Sequence, residues 1–224
     1  MALKNTVKSN IYNHRKRAYF EFKRKYYKQI MDLIQIQRQR FPETSIHGYS
    51  HIGRCIIITH VLSQLHKLSY KSELKCLIAI GLHDVSREDD GEDLWEEQSG
   101  QMAYYFCMKN GLGVDFAEDV KKLITDKTDY RDLPNKEFIV CHDADCLDII
   151  RVFGIDGFEE RNFVSFKGDK QLRYDLIKDT CELIDATYLD DWEYDNQDCL
   201  YLMEKNIKGV WNMKFGVFNK IIKK

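Results

Sequence analysis

The sequence predicts an all-α fold: a compact, single-domain helical bundle with a long N-terminal helix. Its 224 residues include only two prolines and 12 glycines, which favours long uninterrupted helices over a turn-rich β sandwich. Apolar residues recur at helical spacing along most of the chain. Hydrophobic residues make up 44% of the sequence, enough to form a core.

The N-terminal half should form three helices. The first is expected over about residues 10–39, followed by a break at Pro42. Its apolar side chains recur every four residues: Phe22, Tyr26, Ile30 and Ile34. A second helix is expected from near Tyr49 to His66. The third, roughly 72–84, is apolar nearly all round, which predicts a central, buried position.

The C-terminal half should continue the bundle after an acidic loop. Further helices are expected at about 94–110, 114–126, 137–152, 169–188 and 197–209. Asn110-Gly111 is typical of a helix C-terminus. We expect a loop over 154–168, longer than most connections between packed helices.

Charge divides the chain into three predicted regions: a basic N-terminal helical arm (1–45), a helical domain (46–212) and a basic tail (213–224). Residues 1–40 contain eleven Lys or Arg and two acidic residues. Such an arm could contact an anionic partner, but a solvated helix face explains the charges more simply. Its aromatic residues lie at helical spacing, so core packing explains them better than stacking on nucleic acid bases does.

The cysteine pattern predicts a reducing, soluble compartment such as the cytoplasm. The seven cysteines include no CxxC pair, and most lie in apolar stretches, as buried thiols do. The N-terminus does not resemble a signal peptide, because its first apolar run is short and interrupted by lysines. There is no apolar run of about 18 residues, so no membrane-spanning segment is expected.

Histidines and carboxylates concentrate in three clusters. The first is 47–54 (HGYSHIGR), the second is His83-Asp84 with the acidic residues that follow, and the third is 142–151 (HDADCLDIIR). Two kinds of phosphate chemistry fit these residues. A divalent metal could be held by four of them: His51, His83, Asp84 and Asp145. Alternatively, two histidines and a carboxylate could cleave a phosphodiester without a metal.

The order of these residues resembles the H…HD…D pattern of the HD-domain phosphohydrolase superfamily. The matching residues are His51, the pair His83-Asp84, and Asp145. The resemblance implies a helical bundle of HD-like type. It also implies a metal-dependent phosphohydrolase acting on nucleotides, with Mn or Mg held by these residues.

A closer resemblance, over residues 47–151, is to the phosphodiesterase domain of SidE-type bacterial effectors. It rests on the clusters at 47–54 and 142–151 and on the stretch 82–96. It implies cleavage of ADP-ribosylated ubiquitin with release of AMP, then transfer of phosphoribosyl-ubiquitin to a serine or hydrolysis of that bond. Family members work without a metal or other cofactor, through two histidines and a glutamate, matched here by His47, His142 and Glu96.

The same resemblance implies further roles and partners. His47 would be the nucleophile, and the substrate would be bound by His51, Arg54, Arg87, Trp95 and Asp145. Arg54 and Arg87 could bind phosphate, since guanidinium groups bind it through two hydrogen bonds. Trp95 could stack on adenine or belong to the core.

The expected partners are ubiquitin, another ADP-ribosylated or phosphoribosylated protein, or a small ADP-ribose-type nucleotide. A secreted effector of this kind would act in the host cytosol. The chain has no separate ADP-ribosyltransferase region, so its target would be modified elsewhere. A non-catalytic module that binds a modified protein is a further alternative.

Overall fold

The computed structural model describes residues 17–38, 46–88, 95–126, 135–158, 162–187, 199–210 and 216–218. Within these ranges the chain is helical and contains no strand, which confirms the predicted all-α class. The helices are α1 (Arg17–Phe22), α2 (Lys28–Arg38), α3 (Tyr49–Leu65), α4 (Tyr70–Leu82), α5 (Glu96–Lys109), α6 (Val114–Thr125), α7 (Lys136–Asp148), α8 (Ile150–Gly157), α9 (Lys170–Thr187) and α10 (Cys199–Val210).

The long N-terminal helix is present but is interrupted. A π-helical turn, Lys23–Tyr27, separates α1 from α2, and it was not predicted. Phe22, Ile30 and Met31 are fully buried in the same core as the rest of the bundle. The division of the chain near residue 45 stays a prediction, and most of the tail 213–224 lies outside the described residues.

Most of helix α4 is buried, as its apolar character predicts, and the exposed residues Tyr70 and Lys71 lie in its first turn. Every residue from Glu73 to Leu82 is buried. Ser69 caps the N-terminus by accepting a hydrogen bond from the Ser72 amide at 3.1 Å. The helix ends at Leu82, two residues before the predicted boundary, so His83 and Asp84 lie in the turn that follows it.

The segment after α7 differs from the prediction of one helix through residue 152. Helix α7 ends at Asp148, and α8 follows after a turn at Ile149. Part of the predicted loop at 154–168 is therefore helical. Gly154 adopts φ +69° within α8, a conformation that favours glycine and that bends the chain there.

None of the helices in the described ranges is long and apolar enough to span a membrane. All seven cysteines fall within these ranges and are thiols rather than disulfides, and five of them are buried. This state agrees with the reduced cysteines expected from the sequence, although the compartment itself stays a prediction.

Candidate functional site

The H…HD…D residues converge where three helices meet. Helix α3 packs against both α4 and α7, and α4 also packs against α7. His51 lies in the first turn of α3, while Asp145 faces it from α7. His83 and Asp84 come from the turn after α4. The apolar surfaces of these helices thus bring together four polar side chains from three separate segments of the sequence.

The four side chains, which we call the four-residue cluster, are His51, His83, Asp84 and Asp145. His51 Nε2 lies 3.3 Å from His83 Nε2, 3.5 Å from Asp84 Oδ2 and 3.5 Å from Asp145 Oδ1. His83 Nε2 lies 3.2 Å from Asp84 Oδ2 and 3.7 Å from Asp145 Oδ1. Two imidazole nitrogens and two carboxylate oxygens therefore point toward one small volume.

The Nδ1 atoms of His51 and His83 each form a hydrogen bond outside the four-residue cluster. His83 Nδ1 lies 2.7 Å from the Ile80 carbonyl oxygen, which can only accept, so Nδ1 carries the hydrogen. His51 Nδ1 lies 2.8 Å from Asp148 Oδ2. When the rings are neutral, both Nε2 lone pairs therefore face the cluster. This arrangement needs positive charge at its centre, supplied by protons or by a cation.

Asp148 accepts hydrogen bonds from three side chains next to the four-residue cluster. It is fully buried, and its Oδ1 accepts from Arg54 Nε at 2.6 Å. Its Oδ2 accepts from Arg151 Nε at 2.7 Å as well as from His51. Burial alone would raise the pKa of Asp148, but the charges of Arg54, His51 and Arg151 hold that pKa far below its usual range. Asp148 is therefore a carboxylate, which makes His51 Nδ1 the hydrogen donor.

His47 lies at the edge of the four-residue cluster. It occupies the turn before α3, where the extended backbone of Gly48 precedes the helix. Its Nδ1 lies 2.9 Å from Asp84 Oδ2, and its side chain is 19% exposed. Arg87 Nη1 lies 3.5 Å from the other oxygen of Asp84. Asp84 is thus held between an imidazole and a guanidinium group.

The histidines and carboxylates of the four-residue cluster shift one another's pKa values. Burial lowers the pKa of His83, but Asp84 and Asp145 outweigh this effect and raise it well above its usual value. Burial raises the pKa of Asp84, but His83, His47 and His51 together hold it well below the usual range. Hydrogen bonding and charge from His83 likewise overcome burial and lower the pKa of Asp145 to about 2. The carboxylates are therefore ionised and attract positive charge into the cluster.

The donor set fits a divalent metal ion. Two ligand atoms that each lie about 2.1 Å from one ion are separated by roughly 3.0–3.4 Å at octahedral or tetrahedral angles. The separations of 3.2–3.7 Å within the four-residue cluster are close to this range. Ligand atoms of His47, His51 and Asp84, and of His51, Cys55 and Asp145, also lie within 4.8 Å of one another.

Three further residues were expected at the site from the sequence: His142, Glu96 and Trp95. His142 Nε2 lies 2.9 Å from the Asn162 carbonyl oxygen, and this side chain is 30% exposed. Glu96 begins α5, and Trp95 is the residue before it, with a buried indole nitrogen. The grouping of His47, His142 and Glu96 into one catalytic set stays a prediction.

The two arginines expected to bind phosphate are both buried beside carboxylates. Arg54 contacts Asp148, and Arg87 contacts Asp84. Their role toward a substrate stays a prediction, because binding phosphate would compete with these carboxylates.

The sequence analysis placed Asp148 and Arg151 in the cluster 142–151 but assigned neither of them a role in the site. A signal was present, because Asp148 follows Asp145 by three residues and Arg151 follows Asp148 by three, which is a helical repeat. Arg151 also donates through Nη2 to the carbonyl of Ile46, the residue before His47.

Comparisons of the chain with protein-family models, with curated proteins and with solved structures found no match. The likeness to HD-domain and SidE-type proteins therefore rests on the sequence motifs alone.

Proposed function

We propose that this protein is a phosphoester hydrolase that works with a divalent cation held by His51, His83, Asp84 and Asp145. One observation carries the proposal. The two Nε2 atoms meet beside two carboxylates, while both Nδ1 hydrogens are donated elsewhere. Histidines that bind metals commonly donate the other ring N–H to a carboxylate or a backbone carbonyl, as these two do.

The donor set also narrows the choice of cation. Two imidazoles and two carboxylates suit a divalent transition-metal ion that accepts both nitrogen and oxygen ligands, as Mn²⁺ does, better than an ion that prefers oxygen ligands alone. Such a cation, when bound, acts as a Lewis acid toward a phosphate oxygen and favours the ionisation of water. Mn²⁺ is therefore the first ion to test, and Mg²⁺ the second.

His47 supplies a group for proton transfer at the edge of the site. Its Nδ1 hydrogen is donated to Asp84, which leaves Nε2 as the atom that accepts a proton when the ring is neutral. The side chain is 19% exposed, so a substrate can reach the ring from solvent. We assign His47 the role of general acid and base.

Fixed charges around the site favour a phosphate group as the substrate. The three carboxylates Asp84, Asp145 and Asp148 are equal in number to the three guanidinium groups nearby: Arg54 and Arg151 contact Asp148, and Arg87 contacts Asp84. With neutral histidines, a divalent cation leaves the site with net positive charge. An anionic phosphoester offsets this charge, whereas a neutral ester or amide does not.

A second candidate function is favoured by the pairing of His47 with Asp84. An imidazole oriented by a carboxylate is the arrangement found where histidine acts as a nucleophile or base. This observation supports the metal-free phosphodiesterase implied by the SidE-type resemblance. In that case the substrate is an ADP-ribosyl or phosphoribosyl conjugate, such as ADP-ribosylated ubiquitin.

The first experiment separates the two candidates by metal dependence. The purified protein is stripped with EDTA and incubated with bis(p-nitrophenyl) phosphate, a panel of nucleotides and ADP-ribosylated ubiquitin, with and without added Mn²⁺. Hydrolysis that requires Mn²⁺ supports the proposed function. AMP release from ADP-ribosylated ubiquitin in excess EDTA contradicts it and supports the metal-free candidate. No turnover under either condition contradicts both and leaves a binding module.

Asp145→Asn tests the site itself, with Asp119→Asn as its control. Asp145 belongs to the four-residue cluster, whereas Asp119 is a surface carboxylate paired with Lys75 at 3.1 Å. Under the proposed function only Asp145→Asn loses Mn²⁺-dependent turnover. Equal loss in both variants contradicts the assignment of the site.

A further inference from the structure

We propose that Asp148 is a positioning residue that fixes the protonation and orientation of His51 as a metal ligand. This inference rests on the proposed function, because it explains how His51 is oriented to bind the proposed cation through Nε2. Asp148 itself lies behind His51, on the side opposite the four-residue cluster. It acts on the cation through the imidazole ring.

The first step of the argument is the direction of the hydrogen bond. The carboxylate receives hydrogens from three side chains: Arg54, Arg151 and His51. Two of these donors are permanently charged guanidinium groups, with Arg54 Nε at 2.6 Å and Arg151 Nε at 2.7 Å, and a carboxyl group between two such cations is ionised. An ionised carboxylate only accepts, so the hydrogen of neutral His51 must be on Nδ1 and the lone pair on Nε2. The lone pair therefore faces His83, Asp84 and Asp145.

The second step concerns orientation. A flipped His51 ring would place a carbon where Nδ1 now meets Asp148 and would lose the 2.8 Å hydrogen bond. The flip would then leave this buried acceptor with one donor fewer. The orientation of the His51 ring thus depends on contacts at Nδ1, where Asp148 Oδ2 is the close partner and Cys55 Sγ lies farther away at 3.6 Å.

The third step links Asp148 to the turn that carries His47. Arg151, held by Asp148, donates through Nη2 to the Ile46 carbonyl. Residue 46 precedes His47 directly, so the same pair anchors the chain at both histidines of the 47–51 segment. A buried carboxylate with two arginines is a costly arrangement for stability alone, because desolvation offsets most of the attraction. Its contact with His51, together with the contact of Arg151 to the residue before His47, indicates a role in the site.

The decisive variant is Asp148→Asn, which keeps the size of the side chain and removes its charge. Asp179→Asn is a matched control, because Asp179 is also buried and also accepts a hydrogen bond, here from the Phe218 amide at 2.9 Å on another part of the bundle. The probe is Mn²⁺ alone, and its dissociation constant is measured by electron paramagnetic resonance of the free ion. We expect Asp148→Asn to weaken binding by about 10–100-fold and Asp179→Asn to bind as the wild type does.

A second measurement needs no metal. Because the pKa of His51 is raised in the metal-free protein, long-range ¹H–¹⁵N spectra of protein labelled at histidine are recorded at a pH high enough for this ring to be neutral; they report which of its nitrogens carries the hydrogen, and His51→Gln assigns the signal. The inference requires hydrogen on Nδ1 in the wild type. Hydrogen on Nε2 in the wild type overturns it, even if Asp148→Asn does not fold.

The outcomes separate this inference from the proposed function. If the wild type does not bind Mn²⁺, the proposed function fails, whatever the spectra show. If the wild type binds Mn²⁺ and Asp148→Asn binds it equally well, Asp148 is not the positioning residue although the metal site stands. Weaker binding in Asp148→Asn than in Asp179→Asn, with Nδ1 protonated in the wild type, supports both.

Discussion

The Nε2 atoms of His51 and His83 lie 3.3 Å apart, although neither neutral ring has a hydrogen there to donate. Two lone pairs at this separation repel each other unless positive charge lies between or beside them. Protonation of a ring would supply that charge, and so would a metal ion. The pKa values of both histidines are raised, which favours protonation of the rings when no metal ion is bound. The carboxylates of Asp84 and Asp145 lie where they could bind a metal ion together with the two rings.

A divalent cation should therefore stabilise the folded protein. We expect saturating Mn²⁺ to raise the melting temperature, because an ion that binds the folded state alone adds about 2.7 kcal/mol at 100 times its dissociation constant. Thermal denaturation followed by circular dichroism, in EDTA and in Mn²⁺, measures the shift. Asp145→Asn should abolish most of the shift, and Asp119→Asn should retain it. Equal shifts in both variants would place the ion elsewhere.

His47→Asn should separate proton transfer from cation binding. The asparagine amide nitrogen overlies the position of Nδ1, so the hydrogen bond to Asp84 can be kept while Nε2 is lost. We expect kcat to fall by about 10²-fold or more, the usual contribution of a general acid or base. The dissociation constant for Mn²⁺ should stay within a few-fold of the wild-type value.

Measurement of both quantities on the same preparation checks this assignment of His47. His47→Gln is the complementary variant, since its amide nitrogen overlies Nε2 instead. Wild-type kcat in His47→Asn would show that Nε2 takes no part in the reaction.

Arg54→Met should destabilise the fold more than most single substitutions do. Arg54 is buried and donates to both oxygens of Asp148. Its removal leaves a buried carboxylate with one cation fewer, and breaking a buried pair in this way costs about 3–5 kcal/mol. Urea denaturation at neutral pH measures the loss.

The double variant Arg54→Met/Asp148→Leu tests whether the unpaired charge causes the loss of stability in Arg54→Met. Removing both charges should recover much of the stability, because no buried ion is then left unpaired. A double variant as unstable as the single one would mean that packing, not charge, sets the cost.

Helical spacing predicted most of this fold but not its interruptions. Apolar periodicity placed α3 from Tyr49 and α6 from Val114, and the described helices begin at those residues. The π turn at Lys23–Tyr27 and the break at Ile149 were missed. Neither contains a proline or glycine, so both depend on contacts with other helices that a single sequence does not reveal.

The site was predictable as a set of residues but not as a geometry. The order of His51, His83-Asp84 and Asp145 indicated one cluster, and these four side chains do meet. The burial of Asp148 could not be foreseen, because a carboxylate at helical spacing is usually solvated. Its burial is compensated by hydrogen bonds from Arg54, Arg151 and His51, two of which come from α3. Likewise, nothing in the sequence shows that Arg54 faces a carboxylate instead of the substrate.

The pH dependence of stability should carry a contribution from His66. Its Nε2 lies 2.6 Å from Ser165 Oγ, and its ring stacks on Phe166. Burial, together with the charge of Lys136, lowers the pKa of His66 from 6.5 to about 4. Between these values the unfolded chain binds a proton that the folded protein does not, so the contribution is complete above pH 6.5 and is lost as the pH falls toward 4.

His66→Gln should remove this contribution, because the amide can still reach the Ser165 hydroxyl but does not titrate. Denaturation at pH 7 and at pH 5 should therefore show a smaller loss of unfolding free energy in His66→Gln than in the wild type. One titrating group changes that free energy by at most about 1.4 kcal/mol per pH unit. Lys67→Gln, at the exposed neighbouring position, leaves the His66 ring in place and should follow the wild type. If His66→Gln also follows the wild type, the His66 ring is protonated in the folded state and the burial of this ring does not control its charge.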